Sequence, residues 1–210
     1  ISCAALWVDD CIPTPEFYWS VPQLDQEHAK NLVFRLQVLQ NQDYTIVTWN
    51  GCGFDFSVLA QESGMVRECA DLALNHVDLM LLVVFQKGYM LGLNKACIGA
   101  GLAGKTHEVT LSTGQTITEM GGALAPQMWN MGETDAVLTY LAGDVEQTNK
   151  LAHAVEEKKS IRWTSNSGRF QWCPVNKLYT VKELFDLPKP DTSWMSNPVT
   201  RESFIEWMPK

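Results

Sequence analysis

The run from Tyr44 to Trp49 limits the possible folds of this chain more than any other segment, because it is β-branched and almost wholly apolar. A strand of this composition is typical of a sheet that is covered on both faces. Residues 1–8 and 17–19 predict two earlier strands, and the apolar spacing over 25–40 predicts a helix. Strands and helices in this order indicate an α/β fold, with a mixed sheet flanked by helices.

The rest of the sequence adds further helices and one hairpin. Apolar spacing predicts helices at 54–61, 68–74, 78–86, 93–98 and 134–158. Gly64 is placed to end the first of these helices. A hairpin insertion is predicted at about 108–119, around a Ser-Thr-Gly-Gln turn. We therefore predict one domain over residues 1–159 and a small aromatic-rich C-terminal extension over 160–210.

The composition excludes several classes of protein. At 210 residues and 46% hydrophobic residues, the chain can bury a substantial core. A net charge of -8 argues against a broad basic surface that grips duplex nucleic acid, but it is compatible with carboxylates that hold metal ions. The six cysteines show neither a C-x-x-C pair nor zinc spacing, and no apolar run is long enough to span a membrane. A reducing, cytoplasmic setting is the default expectation.

Asp55 is the first candidate site residue. It follows the predicted strand through the sequence Asn-Gly-Cys-Gly-Phe-Asp, which begins at Asn50, and it opens the next helix. This position is the carboxyl edge of the sheet, where open α/β sheets bind their ligands. Gly51 allows a tight turn, and the Asn50 amide can donate across the loop or to a substrate. Alternatively, Asp55 is favoured at a helix start by the helix dipole, and Asn-Gly is an ordinary turn.

A second carboxylate lies about ninety residues later, in the predicted long helix. Tyr140 and Asp144 are four positions apart, so both project from one helix face, which also carries Val137 and Thr148. A buried carboxylate is unfavourable unless it is paired, protonated or bound to a metal. A metal ligand is one interpretation of Asp144, and a helix-edge aspartate that bonds a neighbouring loop is the other.

Together the two motifs have a known counterpart. Asn-x-x-x-Phe-Asp at 50–55, followed by Tyr-x-x-x-Asp at 140–144, resembles motifs II and III of the DEDD, or DnaQ-like, 3′–5′ exonucleases. The subgroup is the one with Tyr in motif III. The likeness covers roughly residues 1–158, and the stretches 76–78 and 92–102 also look like predicted prokaryotic or viral exonucleases of this kind. The resemblance implies an RNase H-like fold that lacks its first strand.

The same resemblance implies roles for individual residues. Asp55 and Asp144 would bind two divalent cations, Mg²⁺ or Mn²⁺, and Tyr140 would orient the attacking water. The substrate would be the 3′ end of single-stranded DNA or RNA. The residues that contact it would be Asn50, Gly51 and Phe54. Targeting by a polymerase or helicase partner is a further hypothesis, which no residue of the sequence indicates.

The family's first motif, Asp-x-Glu on the first central strand, has no match upstream of Asp55. Asp9-Asp10 comes closest, but it lacks the x-Glu spacing. Only two strands precede the helix at 25–40, whereas the family has three, so a strand cut away before Ile1 would explain both absences. We therefore expect the 210 residues alone to be inactive or nearly so. The strands beside the gap are expected to carry unpaired backbone groups.

Two other interpretations remain open. In the first, the chain is a catalytically inactive RNase H-like module that binds nucleic acid or a protein partner without cutting it. In the second, the two carboxylates are structural residues of a different α/β domain. Neighbouring His76 and Asp78 are predicted to be a satisfied polar residue and a helix cap, and the alternative is that they support the metal-binding residues.

Overall fold

The computed structural model describes residues 2–9, 14–104 and 108–209. These residues form a mixed α/β fold, which confirms the predicted class. The strands are β1 (Cys3–Leu6), β2 (Glu16–Trp19), β3 (Val47–Thr48), β4 (Val77–Asp78), β5 (Val109–Thr110), β6 (Thr116–Ile117), β7 (Ser160–Thr164) and β8 (Phe170–Pro174). The helices are α1 (Gln26–Asn41), α2 (Phe56–Ser63), α3 (Val66–Asn75), α4 (Leu79–Lys87), α5 (Leu93–Gly99), α6 (Ala125–Asn130), α7 (Thr134–Lys158) and α8 (Val181–Leu184). None of them is long and apolar enough to cross a membrane.

The described strands pair in four separate two-stranded sheets and not in the single mixed sheet that was predicted. β1 and β2 are antiparallel, with Cys3 opposite Trp19. β3 and β4 are parallel, with Val47 opposite Val77, and the other two pairs are antiparallel hairpins. β3 is shorter than the predicted run of 44–49 because its partner β4 is itself only two residues long.

Local sequence signals set several of the helix ends. Asp25 caps α1 by accepting a hydrogen bond from the amide of His28. Gly64 ends α2 in a left-handed conformation with φ of 74°, as predicted. The long helix α7 has the predicted bounds. Asp78 caps α4 through the amides of Met80 and Leu81, which confirms the predicted cap.

Two parts of the fold differ from the expectation. Residues Gly51–Asp55 form a π-helical turn, so the helix predicted at 54–61 begins at Phe56. The cause is non-local, because hydrogen bonds from this turn lead to Asp78 on another strand. The β7–β8 hairpin was not predicted. Its sequence lies in the segment that was interpreted as an aromatic-rich extension, and its side chains Trp163 and Cys173 are buried.

The C-terminal segment shares the main hydrophobic core. Ile161, Trp163 and Cys173 are buried together with α4, whose residues from Leu79 to Phe85 are all buried. The backbone of β7 approaches α5 so closely that a Cβ atom on Gly99 would lie 1.8 Å from the carbonyl oxygen of Arg162. A second, smaller cluster surrounds Met120, Trp129 and Tyr140.

Arg201 ties the last segment to α4. Its guanidinium donates to the carbonyl oxygens of Phe85, Leu187 and Pro188 at 2.6–2.8 Å, and it lies over the Phe85 ring. Only 6% of Arg201 is exposed. Hydrogen bonds from a charged donor are the stronger ones, so this contact holds the C-terminal segment on the core.

Gly99→Ala tests the close contact between α5 and β7. We expect it to destabilise the protein by about 3 kcal/mol or more, because backbone must move to admit the methyl group. Gly143→Ala in α7 is the matched control. Its Cβ would meet nothing within 4 Å, and the change should stabilise the helix by roughly 0.5–1 kcal/mol. Chemical denaturation measures both values, and equal effects at the two glycines would contradict the packing described.

Candidate functional site

A groove of about 570 Å³ lies between β1 and β3. Consecutive residues of both strands line it, and α1, α2 and α7 contribute the remaining walls. Asp55, at the end of the π-helical turn, and Asp144, near the middle of α7, both lie on these walls. The structure therefore places at one groove the two carboxylates that the sequence singled out.

The carboxylate of Asp78 holds the turn that carries Asp55. Asp78 is fully buried, and its two oxygens accept hydrogen bonds from the amides of Asn50 and Cys52 at 3.0 Å. The same side chain accepts from the first amides of α4 at 3.1 Å. Four backbone donors thus converge on one carboxylate, so the turn and the start of α4 have a fixed relative position.

A second hydrogen-bond network, through the side chains of His76 and Thr48, fixes the position of Gly51. The ring Nδ1 of buried His76 donates to the Ala73 carbonyl at 2.7 Å, and its Nε2 accepts from the Thr48 hydroxyl at 2.9 Å. Burial lowers the pKa of His76, which keeps the ring neutral in this arrangement. The Thr48 oxygen in turn accepts from the Gly51 amide at 3.1 Å. His76 is therefore a satisfied structural residue, as the sequence predicted.

Gly51 has a structural position, although the resemblance suggested a contact with substrate. It is buried, its amide is bonded to Thr48, and its carbonyl accepts from the amide of Phe56. A Cβ atom on Gly51 would lie 2.3 Å from the Thr48 hydroxyl oxygen. Because Gly51 has no side chain, the Thr48 hydroxyl group can lie close to the backbone of this tight turn, as the sequence indicated.

Phe54 is better placed than Gly51 to contact a ligand, whereas the side-chain oxygen of Asn50 is buried. Asn50 adopts a left-handed conformation with φ of 69°. Its side-chain oxygen is buried and has no hydrogen-bond partner among the described residues, which is an uncommon state for a polar atom. Phe54 is 58% exposed, so its ring is available for stacking.

Asp55 is held in an electrostatically unfavourable position. The residue is open to the groove, yet protein atoms surround its carboxyl group on most sides. This desolvation, together with the negative charge of Asp78, raises the pKa of Asp55 to about 6. A carboxylate in such surroundings gains from a nearby cation, because the cation offsets both effects.

Asp144 and Tyr140 face different parts of the molecule. Asp144 is half-buried at the groove, close to Val145 and Thr148, which also line it. Tyr140 is 9% exposed and packs in the second cluster with Trp129 and Val137, and it does not line the groove. The four-residue spacing predicted one common face for Tyr140 and Asp144, and α7 instead presents them to two neighbouring surfaces.

Asp9 also lines the groove. Its carboxylate accepts from the Asn149 amide at 2.8 Å and lies 2.7 Å from Nε2 of His153, both on α7. The other half of the Asp9-Asp10 pair, Asp10, lies outside the described residues. Asp9 therefore joins the end of β1 to α7, and its bonds give it a structural role at the groove.

The groove fits a divalent cation in part. Mg²⁺ and Mn²⁺ prefer oxygen ligands, which the carboxylates of Asp55 and Asp144 offer on the walls of the groove. Within the described ranges, however, no group of three or more histidine, cysteine, aspartate or glutamate side chains is arranged to hold a metal. Water, substrate or a further chain segment would have to complete the coordination of an ion held here.

The C-terminal residues support the same turn, and sequence reasoning missed this contact. The indole Nε1 of Trp207 donates to the Cys52 carbonyl at 2.9 Å. A Cβ atom on Gly53 would lie 2.7 Å from the ring of Phe204. The isolated aromatic residues near the C-terminus were the available signal, but no local pattern identified the turn as their partner.

Comparisons of the chain with protein-family models, curated proteins and solved structures returned no match. The groove, its carboxylates and the turn that carries Asp55 are therefore the observations on which any functional proposal depends. The resemblance of the two motifs to an exonuclease family stays a prediction.

Asp55→Asn should stabilise the protein at neutral pH. The pKa of Asp55 is raised from 3.8 to about 6 in the folded state, so the free energy of unfolding falls as pH rises between these values. The amide removes this unfavourable charge. We expect Asp55→Asn to have the higher Tm at pH 7 and the same Tm as wild type at pH 4. A difference that is equal at the two pH values would contradict the electrostatic account.

Asp78→Ala should be severely destabilising. It leaves four backbone amides without their acceptor, and we expect a loss of about 3 kcal/mol or more in the free energy of unfolding. Asp71→Ala is the control on exposed surface, with an expected change of roughly 0.5 kcal/mol or less. Urea denaturation measures both, and a similar small effect at Asp78 would show that the turn is held by other contacts.

Proposed function

We propose that this protein is a metal-dependent 3′–5′ exonuclease with an RNase H-like fold. The observation that supports the proposal best is the position of Asp55 and Asp144 on the walls of one groove, each within a motif that resembles that family. The raised pKa of Asp55 adds to it, because a recessed carboxylate beside a second negative charge favours cation binding.

In this proposal Asp55 and Asp144 hold two divalent cations, Mg²⁺ or Mn²⁺. Bound cations of this kind activate water and neutralise the charge that develops on a phosphate during hydrolysis. The protein contributes position and charge: Asp78 fixes the turn of Asp55, and the fold of α7 fixes Asp144. Tyr140, one helical turn before Asp144, packs in the second cluster and does not line the groove, so in this proposal it fixes the position of α7 and does not orient the attacking water.

The substrate is the 3′ end of single-stranded DNA or RNA. Water attacks the terminal phosphorus, the bond to the 3′ oxygen of the preceding nucleotide breaks, and a mononucleotide leaves. Phe54, exposed beside Asp55, is placed to stack on a base. The acidic balance of the chain favours local binding at the groove over binding along a broad surface.

A nuclease assay tests the proposal directly. The 210-residue protein is incubated with 5′-labelled single-stranded DNA or RNA, with Mg²⁺, Mn²⁺ or a chelator. We expect slow, stepwise shortening of the labelled strand from its 3′ end, and this shortening should need the cation. Asp55→Asn and Asp144→Asn should each lower the rate about a hundredfold, by analogy with removal of one electrostatic group from an active site.

Asp71→Asn is the matched control for this assay, since it changes the same functional group on exposed surface and should leave the rate unchanged. Hydrolysis that survives both groove substitutions, or that is indifferent to the chelator, would overturn the proposal. A second readout without turnover is Mn²⁺ binding followed by electron paramagnetic resonance, which should weaken in both groove variants.

A catalytically inactive RNase H-like module is the second candidate. It is favoured by one observation, that no cluster of three or more metal-ligating side chains occurs in the described residues. Such a module would bind single-stranded nucleic acid or a protein partner through the same groove. Fluorescence anisotropy distinguishes the two candidates. Binding of labelled single strands that is unaffected by the chelator, without any hydrolysis product, supports the inactive module.

A further inference from the structure

The β7–β8 hairpin has one buried face and one exposed face. Ile161, Trp163 and Cys173 are buried in the main core. The alternate residues point outward, and two of them are aromatic: Phe170 is 65% exposed and Trp172 is 53% exposed. Both rings project from the same face of β8, with about 7 Å of strand between their Cα atoms. Adjacent exposed apolar side chains, unlike single ones, mark a surface that contacts another molecule.

Positively charged side chains lie beside the two rings. Arg162 is directly opposite Trp172 in the register of the hairpin. A shallow pocket of about 470 Å³ is lined by Lys158, Lys159, Ser160, Arg162, Phe170 and Trp172. None of the acidic residues that the structure describes lines it. Lys159, Arg162, Phe170 and Trp172 together are called the hairpin surface below.

The sequence around the hairpin is basic in an otherwise acidic protein. Residues 158–182 contain six of the 16 Lys and Arg residues and none of the 24 Asp and Glu residues, although the whole chain has a net charge of -8. Neither Lys159 nor Arg162 forms an ion pair with a carboxylate of the described residues. The preceding Glu156 and Glu157 do not line the pocket. This local positive charge favours an anionic partner.

The hairpin surface is preformed. The turn is closed by a hydrogen bond from the Ser165 amide to the Arg169 carbonyl oxygen at 2.8 Å. The Nε atom of Arg162 donates to the Ser160 hydroxyl oxygen at 2.9 Å, which orients the guanidinium group. The buried face of the hairpin fixes both strands on the core. A surface that is already ordered loses little conformational entropy when it binds a ligand.

We infer that the hairpin surface binds single-stranded nucleic acid. Phe170 and Trp172 stack on two bases of the strand, and Lys159 and Arg162 contact its phosphates. Aromatic rings exposed on a sheet and flanked by cations suit this ligand, because every base offers a flat face and every nucleotide a negative charge. The inference goes beyond the proposed function and does not rest on it, since none of these four residues lines the groove of Asp144.

Other anionic partners fit this surface less well. The bases of a duplex are stacked on each other, so their faces are closed to Phe170 and Trp172. An acidic peptide would pair with the cations, but its carboxylates offer no flat faces to the two rings. Binding to an anionic membrane increases with the apolar area that is buried, and the exposed Thr164 opposite Phe170 limits that area to the two rings.

Fluorescence anisotropy with a labelled strand tests the inference. The probe is oligothymidylate of about twelve nucleotides, titrated with the 210-residue protein in the presence of a chelator. We expect saturable binding, which Trp172→Ala weakens about tenfold through the loss of one stacking ring and Trp172→Phe largely retains. Trp194→Ala is the matched control, because Trp194 is 69% exposed and does not line the pocket, and it should leave binding unchanged.

The salt dependence of binding separates charge from stacking. Arg162→Gln removes one phosphate contact and should reduce the slope of log K against log salt concentration by roughly 0.7, whereas Trp172→Ala should leave that slope unchanged. Arg67→Gln removes the same charge from the exposed surface of α3 and should change neither the slope nor the affinity.

Three results would each overturn the inference, once circular dichroism has shown that the variants fold. They are wild-type affinity in Trp172→Ala, an equal loss of affinity in Trp172→Ala and Trp194→Ala, and binding of duplex DNA, polyglutamate or phosphatidylserine vesicles at least as tight as that of the single strand. The chelator prevents metal-dependent hydrolysis, so a failure of strand binding at the hairpin and a failure of the proposed nuclease activity are separate results.

Discussion

A single buried carboxylate, that of Asp78, sets the geometry on which the rest of the site depends. Its oxygens accept amides from the turn before α2 and from the start of α4, so two segments far apart in sequence are held by one side chain. The same negative charge acts on its surroundings, because it contributes to the raised pKa values of Asp55 and Cys52. The Asp78 carboxylate thus orders the turn, and its charge adds to the desolvation that raises the pKa of Asp55.

The raised pKa of Asp55 connects the groove with its proposed ligands. A recessed carboxylate whose pKa is raised is stabilised by a proton at low pH or by a cation at neutral pH. Asp144 on the walls of the same groove adds a second carboxylate, while the described residues bring together no group of three or more histidine, cysteine, aspartate or glutamate side chains that could hold a metal.

Local patterns predicted the parts of the fold that local interactions determine. The bounds of α7, the left-handed glycine after α2 and the hairpin near 109–117 all follow from spacing and turn residues. The π-helical turn before α2 could not be predicted, since its bonds lead to Asp78 on another strand. For the same reason the sequence identified Asp55 and Asp144 as candidates, but it did not reveal that Tyr140 packs in a separate cluster or that Trp207 supports the turn.

The central claim is that Asp55 and Asp144 form one cation site at the groove. Carbon-13 NMR of the Asp55 carboxyl group during a pH titration tests it most directly. Without divalent cations the midpoint should be about 6. Saturating Mg²⁺ should lower it by roughly one unit or more in the wild type, because a bound cation favours the ionised form, and should have little effect in Asp144→Asn. A midpoint near 3.8, or an equal shift in both proteins, would contradict the claim.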